Sequence, residues 1–506
     1  MRHTFVAPVI CAMVGTSGAA RADGVPAKLS LLDTVKLTLE KNPGFEAGRE
    51  QREGAKGALE AASSPFDTSL DVSANHTRDT TSVFVGAPPQ ETRLSSLQLG
   101  ASKKFRFGTV VSPSIQIQRV EVISEGARIF GPQNTGRVVF QVNQPLLRGL
   151  GSVAHAGEDA ASSLYDAAVN DLRHAASERV MIATQAYWSY AAAHLTTQNL
   201  IASEARFVQL LENTKALVKA QERPASDLEQ LQASLADQRR SLAEATQSER
   251  EAKVALGLEM GLTMQEIDAI ESPLTSFPDV AISKVSPKAV AELARANRKN
   301  LAALEARVTA AGHLVRNAND ALWPQLDLLG SVGWTGTNQS GGFSDLVVSV
   351  GDNIPGVNVS VGARLFWPIE NSAASGGLAQ AVSAQRQAII LRDSALREVA
   401  VTAETAAHAL TQSQQAATLA TEAVSHHRRT VENEKAKLQN ALATLVDVIY
   451  SEENLANAEA REVSARARFA SAIARVRFES GTITVYDGDA GSIEQSTLMT
   501  PPEGGR

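Results

Sequence analysis

The sequence is poor in cysteine, in aromatic residues and in long apolar runs. Its one cysteine is Cys11. It lies between a short basic start, Met1-Arg2-His3, and an A-x-A site at Ala20-Arg21-Ala22, in the apolar stretch Thr4 to Val14. This order reads as a secretory signal peptide over residues 1–22. Pro8-Val9-Ile10 is not the usual lipoprotein box, and Cys11 comes too early to carry a lipid. The mature chain is therefore expected to hold no thiol and no disulfide, although an exported compartment would permit one. Aromatic residues make up 5% of the chain against 43% hydrophobic. Large globular cores draw on aromatic area; here Ala, Leu and Val dominate, and long, closely packed helices are expected instead. Beyond the signal peptide no run of about 18 apolar residues occurs, so no transmembrane helix is expected. The remaining destinations for an exported chain are the periplasm, the medium or an outer-membrane β-barrel.

Positive charge is also lacking. Without Arg2 and Arg21 the 48 basic residues become 46 against 55 acidic, a net charge of −9. That excludes a typical nucleic-acid binder. No G-x-x-x-x-G-K-[ST], H-E-x-x-H or G-x-S-x-G motif is present, so the sequence offers no enzymatic signature and no cofactor site. Any energy for work must come from a partner.

What is present is helical periodicity. Six stretches read as helix: Leu29 to Ala62 with a break at Asn42-Pro43, Gly151 to about Glu222, Ser226 to Gly257, Lys288 to Leu322, Ser372 to about Gln439, and Thr444 to about Phe478. The second is near 70 residues, roughly 100 Å if unbroken. Ser226-Asp227-Leu228-Glu229 has the form of a capping box. Leu228, Leu231, Leu235 and Leu242 follow at heptad-compatible spacing. Residues 272–287 read as a linker and 482–506 as a disordered tail.

Short alternating segments lie between the helices: Asp67 to His76, Leu94 to Lys104, Thr109 to Gln118, Gly136 to Gln144 and Gln325 to Trp334. The clearest sets Val357, Val359, Val361, Ala363 and Leu365 against Asn358, Ser360, Gly362 and Arg364. Period 2 over nine residues gives one apolar and one polar face, a length close to that of a tilted membrane strand. Proline brackets each strand group, at Pro65 and Pro145 and again at Pro324 and Pro368. The order helix, strands, long helix, helix then recurs, which reads as a tandem repeat. A shift of 220 sets Asp227 on Asp447, Leu235 on Leu455 and Gly261 on Gly481. The first repeat spans 23–271 with strands about 67–144, and the second 288–481 with strands about 325–367. The first strand region is longer by about 36 residues, read as an added hairpin.

A single hairpin per repeat cannot close a barrel, and an open edge in lipid strands polar backbone groups. Several chains sharing one barrel would satisfy those edges, so oligomerisation is implied without fixing its order. Helices continuing such a barrel would make a conduit between compartments.

These features resemble the TolC-like outer-membrane efflux protein family. The carriers are the repeat, the strand exits Gln141-Val142-Asn143-Gln144-Pro145-Leu146-Leu147-Arg148-Gly149 and Val361-Gly362-Ala363-Arg364-Leu365-Phe366-Trp367-Pro368-Ile369, and Ala443-Thr444-Leu445-Val446-Asp447-Val448 before an Ala/Leu helix. The resemblance covers Leu29 to Gly481. It implies a mixed α/β membrane protein: a homotrimer whose subunits each give four strands to a shared antiparallel barrel and helices to a periplasmic α-barrel. It implies an inner-membrane transporter and a periplasmic adaptor as partners, outer-membrane lipid around the barrel, and a role in tripartite efflux or type I secretion. Drugs, metal ions and polypeptides pass through such channels. The added hairpin departs from this pattern and either lies outside the barrel or enlarges it.

The resemblance also places acidic residues at the narrow tunnel end. The matching positions are Asp227 and Asp447, with Tyr450 where a second acid can stand and Ala443 where a locking arginine can stand. A ring of carboxylates there would attract cations. Each aspartate also suits a first helical turn on dipole grounds alone. Trp334 and Trp367 are candidates for the membrane interface, with Trp323 and Phe366 nearby. Adjacent His426-His427 point in different directions on a helix and make a poor chelate, so no metal site is expected. Two other readings exist: a periplasmic adaptor, which would lack its anchor, and a secreted coiled-coil protein, which leaves the strands unexplained.

Overall fold

The computed structural model describes residues 25–82, 84–124, 127–279, 285–339, 341–440, 442–483 and 493–502. The expected signal peptide, and residues 484–492 and 503–506 of the expected tail, lie outside these. The chain divides into two compact units. One is mainly helical (Met1–Ala47, Arg173–Arg298 and Val399–Arg506), and the other holds a large sheet (Gly48–Leu172 and Lys299–Glu398).

The elements run β1 (Lys28–Leu29), α1 (Leu31–Lys41), α2 (Pro43–Ser63), β2 (Thr68–Thr81), β3 (Gln90–Lys104), β4 (Val110–Ser124), β5 (Ala127–Pro145), α3 (Ala156–Lys219) and α4 (Ser226–Glu259). Then come α5 (Met264–Asp268), β6 (Ser272–Pro273), α6 (Pro287–Asn297), α7 (Lys299–Asp320), β7 (Gln325–Asn338), α8 (Phe343–Val348), β8 (Val357–Phe366), α9 (Ser372–Gln439), α10 (Leu445–Glu479) and α11 (Gln495–Met499). The first helical stretch breaks at Pro43 as its sequence requires, because proline lacks the N–H that an interior turn needs. The fourth breaks at Arg298, where the sequence carries no such mark.

In the helical unit the few large aromatics are concentrated. Tyr187, Trp188 and Tyr190 of α3 are among the largest fully buried side chains. The expected linker is folded into this core. Ser272–Pro273 pairs in parallel with Lys28–Leu29, the Thr275 N–H donates to the Tyr187 hydroxyl at 2.8 Å, and Phe277 packs on Trp188 with ring centres 5.4 Å apart. The expected disordered tail is corrected too: Leu498 of α11 is buried, and the Arg477 guanidinium donates to the Thr500 carbonyl at 2.8 Å. An apolar leucine with a docking surface outweighs the Gly/Pro-rich composition around it.

Four helix ends close in the same way. The N–H of Glu222 bonds the carbonyl of Leu217, Leu262 that of Gly257, Leu442 that of Lys437, and Thr482 that of Arg477. These are Schellman closures, which need a left-handed residue. Gly261 (φ +71°), Gly481 (φ +70°) and Gln221 (φ +63°) supply it.

The sheet unit holds six antiparallel strands in the order β2-β3-β4-β5-β7-β8. The added hairpin is β3–β4, and it lies inside the sheet, between β2 and β5. The register puts one residue set on one face. Leu70 and Val72 lie beside Ala101 and Leu99, Leu99 and Leu97 beside Ile115 and Ile117, and Ile115 beside Val138. Val138, Phe140 and Val142 lie beside Trp334, Val332 and Gly330, which lie beside Val357, Val359 and Val361. The other face carries Asp71, Ser73, Gln98, Ser114, Gln116, Gln141, Ser331, Ser360 and Arg364. β2, β3 and β4 are longer than their apolar patterns suggested, because they continue past the apolar rows into charged and polar residues such as Arg78, Arg93 and Glu121.

Candidate functional site

Asp227 and Asp447 stand in the first turns of α4 and α10. One apolar cluster holds these helix starts together: Phe207 and Leu211 of α3, Leu231 and Leu235 of α4, and Leu445 and Ile449 of α10, with Leu228 and Leu438 packed against it. Leu228, Leu231 and Leu235 of α4 thus turn inward, and Asp227 and Asp447 stand outside the cluster.

The two aspartates differ in chemistry. Asp447 belongs to a capping box: its carboxylate accepts from the Thr444 N–H at 2.8 Å and hydroxyl at 2.7 Å, and the Thr444 hydroxyl accepts from the Asp447 N–H at 3.3 Å. Those hydrogen bonds favour the charged form and hold its carboxyl below the usual aspartate value. Asp227 instead lies 3.5 Å from the Arg223 guanidinium. The capping box expected at Ser226 is absent. Ala225 is the cap residue and is already helical (φ −65°, ψ −24°), which draws Ser226 inside the helix, where its side chain has no cap to make. Tyr450 is 66% exposed and lies one turn along the same face as Val446 and Asp447, which are also exposed.

The ion pairs behind this rim leave no mark in the sequence. Glu452 is buried at 1% exposure. It takes the Arg206 guanidinium of α3 at 2.8 Å and the Lys435 ammonium of α9 at 2.5 Å. Glu459 takes Arg428 of α9 at 3.0 Å, and Ser234 of α4 donates to Glu453 at 3.1 Å. Three helices are thereby tied to α10. Glu452 and Glu459 stand seven residues, two turns, apart on α10, a pattern that composition alone reads as a solvated face.

In the sheet unit, Trp323 and Trp367 are both exposed at the end of the sheet where Gln325 faces Phe366. Trp334 lies at the other end, half-buried, and its indole N–H donates to the Val350 carbonyl at 3.1 Å. The segment around α8 folds over that end of the apolar face. A Cβ on Gly136 would lie 2.5 Å from the Val350 backbone, so only glycine admits this contact. Sequence reasoning also missed Lys103-Lys104-Phe105-Arg106-Phe107 at the helix end. Phe105 and Phe107 stack at 5.5 Å, and Lys104 and Arg106 lie over the Phe66 ring at 5.8 and 5.3 Å. The alternation of basic and aromatic residues in that run was the available signal. His426 is exposed and has Glu422 3.7 Å away.

Residues 290–482 match the family model described as Outer membrane efflux protein. Over these residues the chain carries a domain of the outer membrane efflux protein type. Solved structures similar to it include the outer-membrane channel OprN (16% identity, 89% of this chain and 90% of that one, TM-score 0.67). The CmeC outer membrane channel of Campylobacter jejuni is similar too (16% identity, 89% and 85%, TM-score 0.66). So is the outer membrane protein VceC of Vibrio cholerae (16% identity, 89% and 96%, TM-score 0.65). At this identity the likeness establishes the fold. No curated protein matches the chain. The family is one of efflux channels and not of enzymes, and it assigns the chain to the outer membrane with its helical part in the periplasm. The family match gives the adaptor reading no support.

Proposed function

We propose that three copies of the chain form one outer-membrane channel that exports substrates within a tripartite pump or type I secretion assembly. The observation that carries this reading is the sheet. It has one apolar face and two unpaired edge strands, β2 and β8, exposed at every residue. Such an object is unstable alone in either water or lipid. Closed among several copies, it buries both edges and turns the apolar face to lipid and the polar face to a lumen.

The aromatic residues support the same placement. Gln325, at the Trp367 end, and Trp334 are nine residues apart, about 30 Å along a strand. At a tilt of ~40° that is about 23 Å, close to the apolar band of membrane barrels. The tandem-repeat reading is supported by the Schellman closures, which recur at the 220-residue shift read from the sequence.

The gate is proposed at the starts of α4 and α10. Asp447 and Tyr450 face outward there, and Asp227 lies at the matching rim. In a trimer they would ring the opening, favour cations and part when an adaptor engages the helix-pair turns. The test is single-particle electron microscopy of the detergent-purified mature protein. A threefold hollow particle with a detergent belt supports the reading. A slender particle with no belt overturns it.

A further inference from the structure

We infer that the inserted hairpin β3–β4 is part of the pore wall, so each copy gives six strands to the closed sheet. This rests on the shared-barrel reading: with three copies the barrel has 18 strands, six from each.

The first argument is position. An insertion outside the barrel would hang from an edge of the sheet. β3 instead pairs with β2 from Thr68↔Lys103 through Thr81↔Gln90. β4 pairs with β5 from Val110↔Asn143 through Gln118↔Thr135 and beyond. Removing the hairpin from the wall would break both ladders and separate β2 from β5.

The second argument is facing. The inserted strands put Leu97, Leu99, Ile115 and Ile117 in the apolar rows of Val72, Val138, Val332 and Val359. Their other face carries Gln98, Ser114 and Gln116. A hairpin destined for water would not need an apolar face matched row by row to a lipid-facing sheet.

The third argument concerns the occupant of the free edges, a second copy of this chain. Six alternating strands leave β2 and β8 running in opposite directions. Joining β8 of one copy to β2 of the next therefore continues the antiparallel order. Leu70, Val72 and Ala74 then meet the Val357 to Leu365 set on the apolar side. Asp71 of one edge and Arg364 of the other share the polar side, with opposite charge. Barrel diameter grows about linearly with strand number, so the lumen would be roughly 1.5 times as wide as that of a 12-stranded barrel.

The test is a strand count by cryo-electron microscopy of the mature chain in lipid nanodiscs. It is paired with cysteine cross-linking, since the mature sequence has no thiol of its own. Double variants Val72→Cys/Val359→Cys and Val72→Cys/Val361→Cys are oxidised in membranes. Within one chain these positions lie five strand spacings apart, roughly 24 Å, so only a neighbouring copy can link them. An 18-stranded ring, with covalent dimers and trimers for at least one pair, is the expected result. A closed 12-stranded ring with β3–β4 outside overturns this inference and leaves the channel standing. No closed ring overturns both. If a double variant fails to assemble, the strand count on the unaltered chain decides.

Discussion

Thr444 and Asp447 hold each other through three hydrogen bonds at the start of α10, two from Thr444 to the carboxylate and one back to the threonine hydroxyl. The proposed gate charge is therefore also a helix cap, and the two roles can be separated. Asp447→Ala removes both. It should lower cation preference in planar bilayers and weaken the start of α10. Thr444→Ala, which removes the cap residue itself, should cost about 1 kcal/mol of stability while keeping the cation preference. Equal selectivity loss in both variants would remove Asp447 from the pore.

The lowered pKa of Asp447 fixes a pH window. Its capping bonds stabilise the folded state fully above the unfolded aspartate value near 3.8. That contribution is lost as pH falls below 3.8 through the lower folded value. Cation selectivity from Asp447 should thus be flat between pH 7 and 5. A midpoint near 6 in reversal-potential measurements would point to another group.

Glu452 should be a strong determinant of tip integrity. Glu452→Ala leaves Arg206 and Lys435 without their buried partner. Both can still reach solvent, so the expected loss is about 1–3 kcal/mol and not the larger cost of a fully buried orphan charge. Urea unfolding measures the loss. Higher basal conductance in the same variant would tie these bonds to the closed state, and unchanged conductance would make them purely structural.

Gly261 has a left-handed backbone, and a Cβ there would lie 2.2 Å from the Lys41 carbonyl oxygen. Gly261→Ala should destabilise the helical unit by at least about 1–2 kcal/mol, the left-handed penalty alone. A thermal midpoint equal to that of the parent chain would refute the tight approach.

The membrane placement can be read by fluorescence. Single-tryptophan variants retaining Trp367 should be quenched by lipids brominated near the headgroup. Variants retaining Trp188, buried in the helical unit, should not. Equal quenching of the two would contradict the assignment of the sheet to lipid.

Much of this architecture is legible in the sequence because its elements are long and regular. Ser372 to Gln439 reads as one helix and is one, and the Val357 strand is visible from its alternation. Strand ends were not, because the strands run on beyond the apolar rows, where hydrophobic periodicity carries no signal. The break at Arg298 and the missing cap at Ser226 depend on backbone angles that neighbouring segments impose. At the candidate gate the family resemblance pointed to Asp227, Asp447 and Tyr450, which stand in the opening turns of α4 and α10. It could not pair Glu452 with Arg206, which is 246 residues away.

The hairpin between β2 and β5 has a bearing on how such a chain could have grown. Its turn, Phe105 to Thr109, lies at the sheet end that leads to helix, and its two outer connections lie at the opposite rim. Because it adds two strands, β5 still arrives at the end from which α3 departs. A lone additional strand would deliver the chain to the wrong end of the sheet, with α3 still to be made. Ancestral enlargement of this sheet could therefore proceed only in steps of two.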